Sequence, residues 1–192
     1  MPVYQDYENR INLNELIEKR IPSCDLLHPD HCLTYKQIAE WRHNTTPIPA
    51  QIRILKDICN YIKECCSNDG QNIYWSVENN SIGEGALIVI RDMGEENIPG
   101  MCVSEPIRKG HVRKFRKGFN TTHSTKISAC TRLKNMVEND KLTINSKILV
   151  SELKAFVASG SSFKAKPGEN DDLVSACLLS MRIMAVLKDW DP

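Results

Sequence analysis

The stretch Ser161-Ser-Phe-Lys-Ala-Lys-Pro-Gly-Glu-Asn-Asp-Asp-Leu-Val174 joins a short extended run, Ser162 to Ala165, to the breaker pair Pro167-Gly168 and then to two aspartates that open an apolar helix. Leu173, Cys177, Met181 and Met184, with Val174, Leu178 and Leu187 beside them, recur at the three- and four-residue steps of one broad buried helix face. Pro and Gly end the preceding run, and Asn170 or Asp171 is placed to cap the helix. Acidic residues are common in a first helical turn, where they offset exposed N–H groups and the helix dipole. Taken alone, the pair Asp171-Asp172 therefore carries no function.

Upstream, a strand is expected over Thr34 to Trp41, with Tyr35, Ile38 and Trp41 apolar. A prolyl loop, Arg42-His-Asn-Thr-Thr-Pro-Ile-Pro49, separates it from a helix starting at Ala50 whose face carries Ile52, Leu55, Ile58 and Ile62. Ile73-Tyr-Trp-Ser-Val77 is aromatic and β-branched, hence a strand, and Glu78 stands at its C-terminal end. A helical pattern over Gly83 to Met93 and an extended Met101-Cys-Val103 follow. This alternation points to an α/β fold with a partly parallel sheet. In such sheets ligands gather beyond the carboxyl ends of strands, which is the position of Glu78. Lys126 to Val137 and Lys147 to Phe156 are amphipathic and serve as scaffold.

The net charge of +1 gives no global basic field. Any affinity for nucleic acid must then come from a local patch, and Arg108-Lys-Gly-His-Val-Arg-Lys-Phe-Arg-Lys117 supplies one. Arg108, Lys109, Arg113, Lys114, Arg116 and Lys117 suit phosphate oxygens, with Phe115 interleaved to meet a sugar or base; the plain alternative is a solvated surface loop. Eight scattered cysteines include several on apolar helix faces, which favours reduced thiols over a disulfide framework. Cys24, His28, His31 and Cys32 are zinc-ligand types, but their spacing matches no common zinc module. No apolar run is long enough to span a bilayer, and the N-terminus lacks signal-peptide character, so an intracellular protein is expected.

Several ordered motifs together resemble the C-terminal nuclease domain of the large terminase subunit of tailed phages, of the T-even-like kind. Lys166-Pro-Gly-Glu-Asn-Asp-Asp-Leu-Val174 is similar to that family's last motif. Trp75-Ser-Val-Glu-Asn-Asn-Ser-Ile-Gly-Glu-Gly85 is similar to its strand ending in a catalytic carboxylate. The segments Gly118-Phe-Asn-Thr-Thr-His-Ser-Thr-Lys126 and Leu142-Thr-Ile-Asn-Ser-Lys147 resemble it as well. The resemblance spans roughly Tyr35 to Leu187 and implies an RNase H-like domain over residues 34–192, behind a poorly defined segment 1–33. It further implies a metal-dependent endonuclease that cuts concatemeric double-stranded DNA in the host cytoplasm during packaging. Glu78 then corresponds to the second-motif carboxylate and Asp171-Asp172 to the third, at least one of that pair holding Mg²⁺ or Mn²⁺, with a two-metal site expected. Lys126 and His123 would assist near the phosphate. Implied partners are a portal protein, a small terminase subunit and a separate ATPase part.

The chain departs from the family at its front. No apolar strand ending in an aspartate is found before Thr34, although Asp6 and Asp25 are available acids. A phosphate-binding loop ending in Lys-Ser or Lys-Thr is also absent. The chain thus looks like a fragment, a split gene product or a diverged nuclease half, and a catalytically impaired DNA-binding or packaging-complex module is the alternative to an active nuclease.

Overall fold

In the computed structural model, residues 34–65, 73–106 and 117–190 are described, and they form a mixed α/β fold with five helices. Helix α1, Ile48–Cys65, starts where the Pro47 carbonyl accepts from the N–H groups of Ala50 and Gln51 at 2.9 and 3.1 Å. Pro49 falls in its first turn, where a missing N–H breaks no helical hydrogen bond. Helix α2, Ser81–Met93, is capped by the Asn80 side chain, which accepts from Gly83 N–H at 3.3 Å. Helix α3, His123–Glu138, opens with a reciprocal capping box between Thr122 and Thr125. Ser146 caps helix α4, Lys147–Ala155, by accepting from Leu149 N–H at 2.8 Å. Helix α5 is Asp172–Trp190.

The described strands form three two-stranded ladders. Strand β1, Tyr35–Lys36, runs parallel to β4, Leu142–Thr143, and β2, Tyr74–Trp75, parallel to β3, Met101–Cys102. Strands β5, Phe156–Ser159, and β6, Ser162–Ala165, make an antiparallel hairpin around Gly160-Ser161. The expected helix–strand alternation and parallel pairing are present, while the long strand expected over Thr34 to Trp41 is reduced to two residues. Its apolar positions do not alternate, and Ile38 is left exposed. Phe156, expected at a helix end, instead begins β5 and stacks on Phe163 with ring centroids 6.1 Å apart.

Two cores result. The first packs Ile52 and Cys59 of α1, Ile73 and Trp75 of the β2 region and Ala86 and Ile90 of α2. The second packs Ala129 and Leu133 of α3, Leu149 of α4 and Leu173, Val174, Leu178 and Met181 of α5. A smaller cluster joins them, in which Val103 and Phe119 from the β3 side meet Val186 of α5. Helix α5 is therefore apolar on more than one face because it serves both the second core and this seam. Among the described residues, no helix is long and apolar enough to cross a membrane.

Candidate functional site

Glu78 is fixed by its backbone. Val103 N–H donates to the Trp75 carbonyl at 2.8 Å, after which Phe119 takes over the same edge: Phe119 N–H donates to the Val77 carbonyl at 3.0 Å and Asn79 N–H to the Phe119 carbonyl at 2.7 Å. Glycines at two positions permit this closeness. A Cβ on Gly83 would lie 1.6 Å from the Glu78 carbonyl oxygen, and one on Gly118, whose φ is +77°, would lie 2.4 Å from that of Val77. The first turn of α2 and the Gly118-Phe119 segment thus clamp the strand end from two sides. Buried Asn79 adds a third tie, its side-chain Nδ2 donating to the Lys117 carbonyl at 3.0 Å.

Glu78 lines a small cleft of about 70 Å³ that it shares with Thr121, Lys126, Leu178, Ser175 and Arg182. Arg182 crosses the seam between the two cores. It pairs with Glu105, donates to the Asn120 carbonyl at 3.1 Å and to Thr121 Oγ1 at 3.3 Å, and lies 4.8 Å from the Phe119 ring centroid. Burial lowers its pKa from the ordinary guanidinium value, while the carboxylates of Glu105 and Glu78 pull it back up. Lys126 reaches the cleft from the first turns of α3, with its ammonium 5.3 Å from the Phe156 ring centroid. His123 stands apart, tied through Nε2 to the Ser161 carbonyl at 2.6 Å, where it locks the β5–β6 turn to α3.

Asp171 and Asp172 sit at the start of α5. The Asp171 carbonyl accepts from Ser175 N–H at 2.8 Å, so the aspartates lie one turn, about 6 Å of helix rise, from the cleft-lining Ser175. Neither Asn170 nor Asp171 caps the helix with its side chain, contrary to the local expectation. Glu152 of α4 does so instead: its Oε2 accepts from Leu173 N–H at 2.8 Å and Val174 N–H at 3.2 Å, while Oε1 accepts from Arg42 Nη1 at 2.7 Å. The Glu152 side chain is 6% exposed and that of Arg42 37%. Among the described residues, no hydrogen bond or ion pair engages the side chain of Asp171 or Asp172.

Of the basic segment, Arg108, Lys109, Arg113, Lys114 and Arg116 lie outside the described residues, as do Cys24, His28, His31 and Cys32. Lys117 is described and pairs with Glu95. Described residues on either side of that segment are joined: Glu105 N–H donates to the Gly118 carbonyl at 3.1 Å and Gly118 N–H to Ser104 Oγ at 3.0 Å. Its Lys117 end borders Asn79, whose Nδ2 donates to the Lys117 carbonyl.

Of the residues that line the cleft, Glu78 is the one carboxylate, and it stands there with the cations Lys126 and Arg182. Mg²⁺ and Mn²⁺ take oxygen ligands, and Mg²⁺ is commonly held by one or two carboxylates with waters and substrate phosphates completing its shell. Asp171 and Asp172 are carboxylates that lie outside the cleft lining, at the start of α5. No group of three or more His, Cys, Asp or Glu at metal-holding separation occurs among the described residues. Sequence reasoning did not single out Ser175 or Arg182, although helical periodicity carries both: Ser175 is four residues from Asp171, and Arg182 seven further on. It also missed Glu152, for which no local signal exists. Compared with models of known protein families, the chain matches none.

Proposed function

We propose that this chain is the RNase H-like, metal-dependent endonuclease domain of a viral DNA-packaging terminase, acting on double-stranded DNA. The observation that supports this reading is that Glu78, from a strand end, and Ser175, the residue after the Lys166-to-Val174 motif, line one cleft, with Asp171 and Asp172 one turn away along α5. The same cleft holds Lys126 and Arg182, cations that suit a phosphate beside a carboxylate. Glu78 with Asp171 or Asp172 would hold Mg²⁺ or Mn²⁺. Divalent ions, when bound, activate the attacking water and stabilise charge on the leaving oxygen of a phosphodiester.

The protein's own residues have separate tasks in this scheme. The Gly83 and Gly118 contacts hold the backbone at Glu78 and Val77, so that Glu78 would offer its carboxylate to a metal ion from a fixed strand end. Lys126 neutralises a phosphate oxygen on the α3 side. Arg182, engaged by Glu105 and the Asn120 carbonyl, keeps the opposite wall in place. The basic segment Arg108 to Lys117, whose Lys117 end is tied to Asn79, grips neighbouring phosphates without reading bases. By the same resemblance, a portal protein, a small terminase subunit and a separate ATPase part are the partners, and the host cytoplasm is the setting.

A plasmid-nicking assay tests the proposal. Wild-type protein should nick DNA with Mn²⁺ or Mg²⁺ and little sequence preference, whereas Glu78→Gln and Asp172→Asn should abolish nicking and retain the fold. Equal, metal-independent background in all three proteins would overturn it in favour of a DNA-binding or packaging-complex module.

A further inference from the structure

The cleft uses one face of α5 and leaves another free. Ser175, Leu178 and Arg182 line the cleft, whereas Cys177, Met181 and Met184, on the opposite side of the 3.6-residue turn, line a second groove of about 360 Å³. Its floor belongs to the second core, for Leu149, Leu173 and Met181 are buried there. Its far wall carries Tyr35 of β1 and Trp41. Polar residues rim it: Lys36, Glu40 and Gln37, whose Nε2 donates to Glu40 Oε2 at 3.3 Å. Apolar surface bordered in this way marks an interaction site. The rim charges are of opposite sign, so they select no charged partner.

The chain itself offers an occupant. Its described part begins at Thr34, next to Tyr35 on the groove wall, so residues 1–33, which lie outside the described part, are joined to the protein at the groove's rim. Within them Leu13, Leu16 and Ile17 stand at three- and four-residue steps, with Asn12, Asn14, Glu15 and Glu18 between and after them. That is the anchor spacing of an amphipathic helix laid in an apolar groove. Seventeen residues separate Ile17 from Thr34, a reach of up to about 55 Å, so the tether does not limit docking. Tethering also holds the segment at an effective concentration in the millimolar range, where contacts too weak to retain a free peptide suffice. We propose that Asn12 to Glu18 docks in this groove of its own chain, with Leu13, Leu16 and Ile17 seated against Trp41, Cys177 and Met184. The docked segment supports α5 from behind the cleft, and the inference does not depend on the nuclease reading.

Thiol alkylation of the full chain, followed site by site at one alkaline pH, tests this. Cys177 is half-buried in the groove and reports its occupancy, while Cys102 packs beside the first core and reports the fold. The double variant Leu13→Asp/Leu16→Asp should raise the Cys177 rate about tenfold, the factor that corresponds to a docking free energy of about 1.4 kcal/mol. The Cys102 rate should stay unchanged, and Asn14→Asp should alter neither. Should the double variant fail to fold, Leu16→Ala gives the same contrast at smaller size. An unchanged Cys177 rate, or a rise shared by Cys102, would overturn the proposal. Photoreactive p-benzoylphenylalanine in place of Leu16 then reads the contact directly, and should cross-link to Met181 or Met184 within a single chain. Cross-links to those methionines found only between two chains would overturn the proposal in favour of a second copy in the groove. Cross-links confined to other parts of the chain would overturn it as well.

Discussion

The two candidate acid positions are held in opposite ways. Glu78 is held by backbone packed against backbone, with Gly83 and Gly118 admitting contacts that no side chain would allow. Asp171 and Asp172 are held at one remove, by a carboxylate from α4 that is in turn gripped by Arg42 from the loop before α1. The first support is local and rigid. The second runs through three separate segments and depends on charge, so the two regions should respond differently to substitution, pH and salt.

The largest expected effect is at the rigid end. Gly83→Ala puts a methyl 1.6 Å from the Glu78 carbonyl oxygen, so α2 must move off the strand. The cost should be about 3 kcal/mol, at the upper end for overpacking, read by urea denaturation. A denaturation midpoint equal to that of wild type would show that no such clamp exists. Gly118→Ala should follow closely, since it combines a 2.4 Å approach to the Val77 carbonyl with φ +77°.

At the charge-dependent end, Arg42→Ala leaves the Glu152 carboxylate buried without its cation. Breaking a fully buried pair costs 3–5 kcal/mol, but the Arg42 side chain is 37% exposed, so after allowance for solvent about 2 kcal/mol is expected. The loss should appear as faster amide exchange at Leu173 and Val174, with exchange near Glu78 unchanged. Equal acceleration at both ends would break the distinction between the two supports.

The same contrast explains what the sequence discloses. The strand-end position of Glu78 was legible from what lies nearby, an aromatic, β-branched run, two asparagines and the glycines of Ser81-Ile-Gly-Glu-Gly85, whereas its pairing with Phe119 and the Gly118 contact have no local signature. The helices were legible for the same reason, since apolar spacing, prolines and the Asn80, Thr122 and Ser146 caps act over a few residues. Two things were not. The strands are short, and pairing between partners such as Tyr35 and Leu142 has no local signature. The cap of α5 comes from a residue 21 positions upstream of Leu173, tied to another 110 positions further back. In the sequence Glu152 is one more polar residue on an amphipathic helix; only burial shows that it is paired.

Each region also contains a half-buried thiol. Burial pushes both Cys102, beside the first core, and Cys177, beside the second, from 9.0 up to about 11. Because the folded state raises these pKa values, the folded chain favours the protonated thiol. That contribution is fully present below pH 9.0 and is lost as pH rises through about 11. Thermal midpoints should therefore fall across this window, and the double variant Cys102→Ala/Cys177→Ala should show a shallower fall. An identical fall in wild type and variant would assign the alkaline loss to other groups.

The smallest expected effect separates the two thiols by cause. At Cys177 burial alone raises the pKa. At Cys102 burial is the largest cause, followed by the raising effect of the Glu95 carboxylate, against which Lys117 and a hydrogen bond with Ser104 act in the lowering direction. Salt screens charge–charge effects at partly exposed groups and leaves desolvation untouched. Since Glu95 outweighs Lys117 at Cys102, added salt should remove more of the raising influence than of the lowering one. The Cys102 titration should then move slightly toward lower pH while that of Cys177 stays in place. Alkylation rates followed site by site by mass spectrometry between pH 8 and pH 11.5, at low and high salt, measure this. Equal salt shifts at both thiols would mean that charge contributes alike at the two, so that the packed region, like the charge-linked one, would hold no thiol set apart by charge.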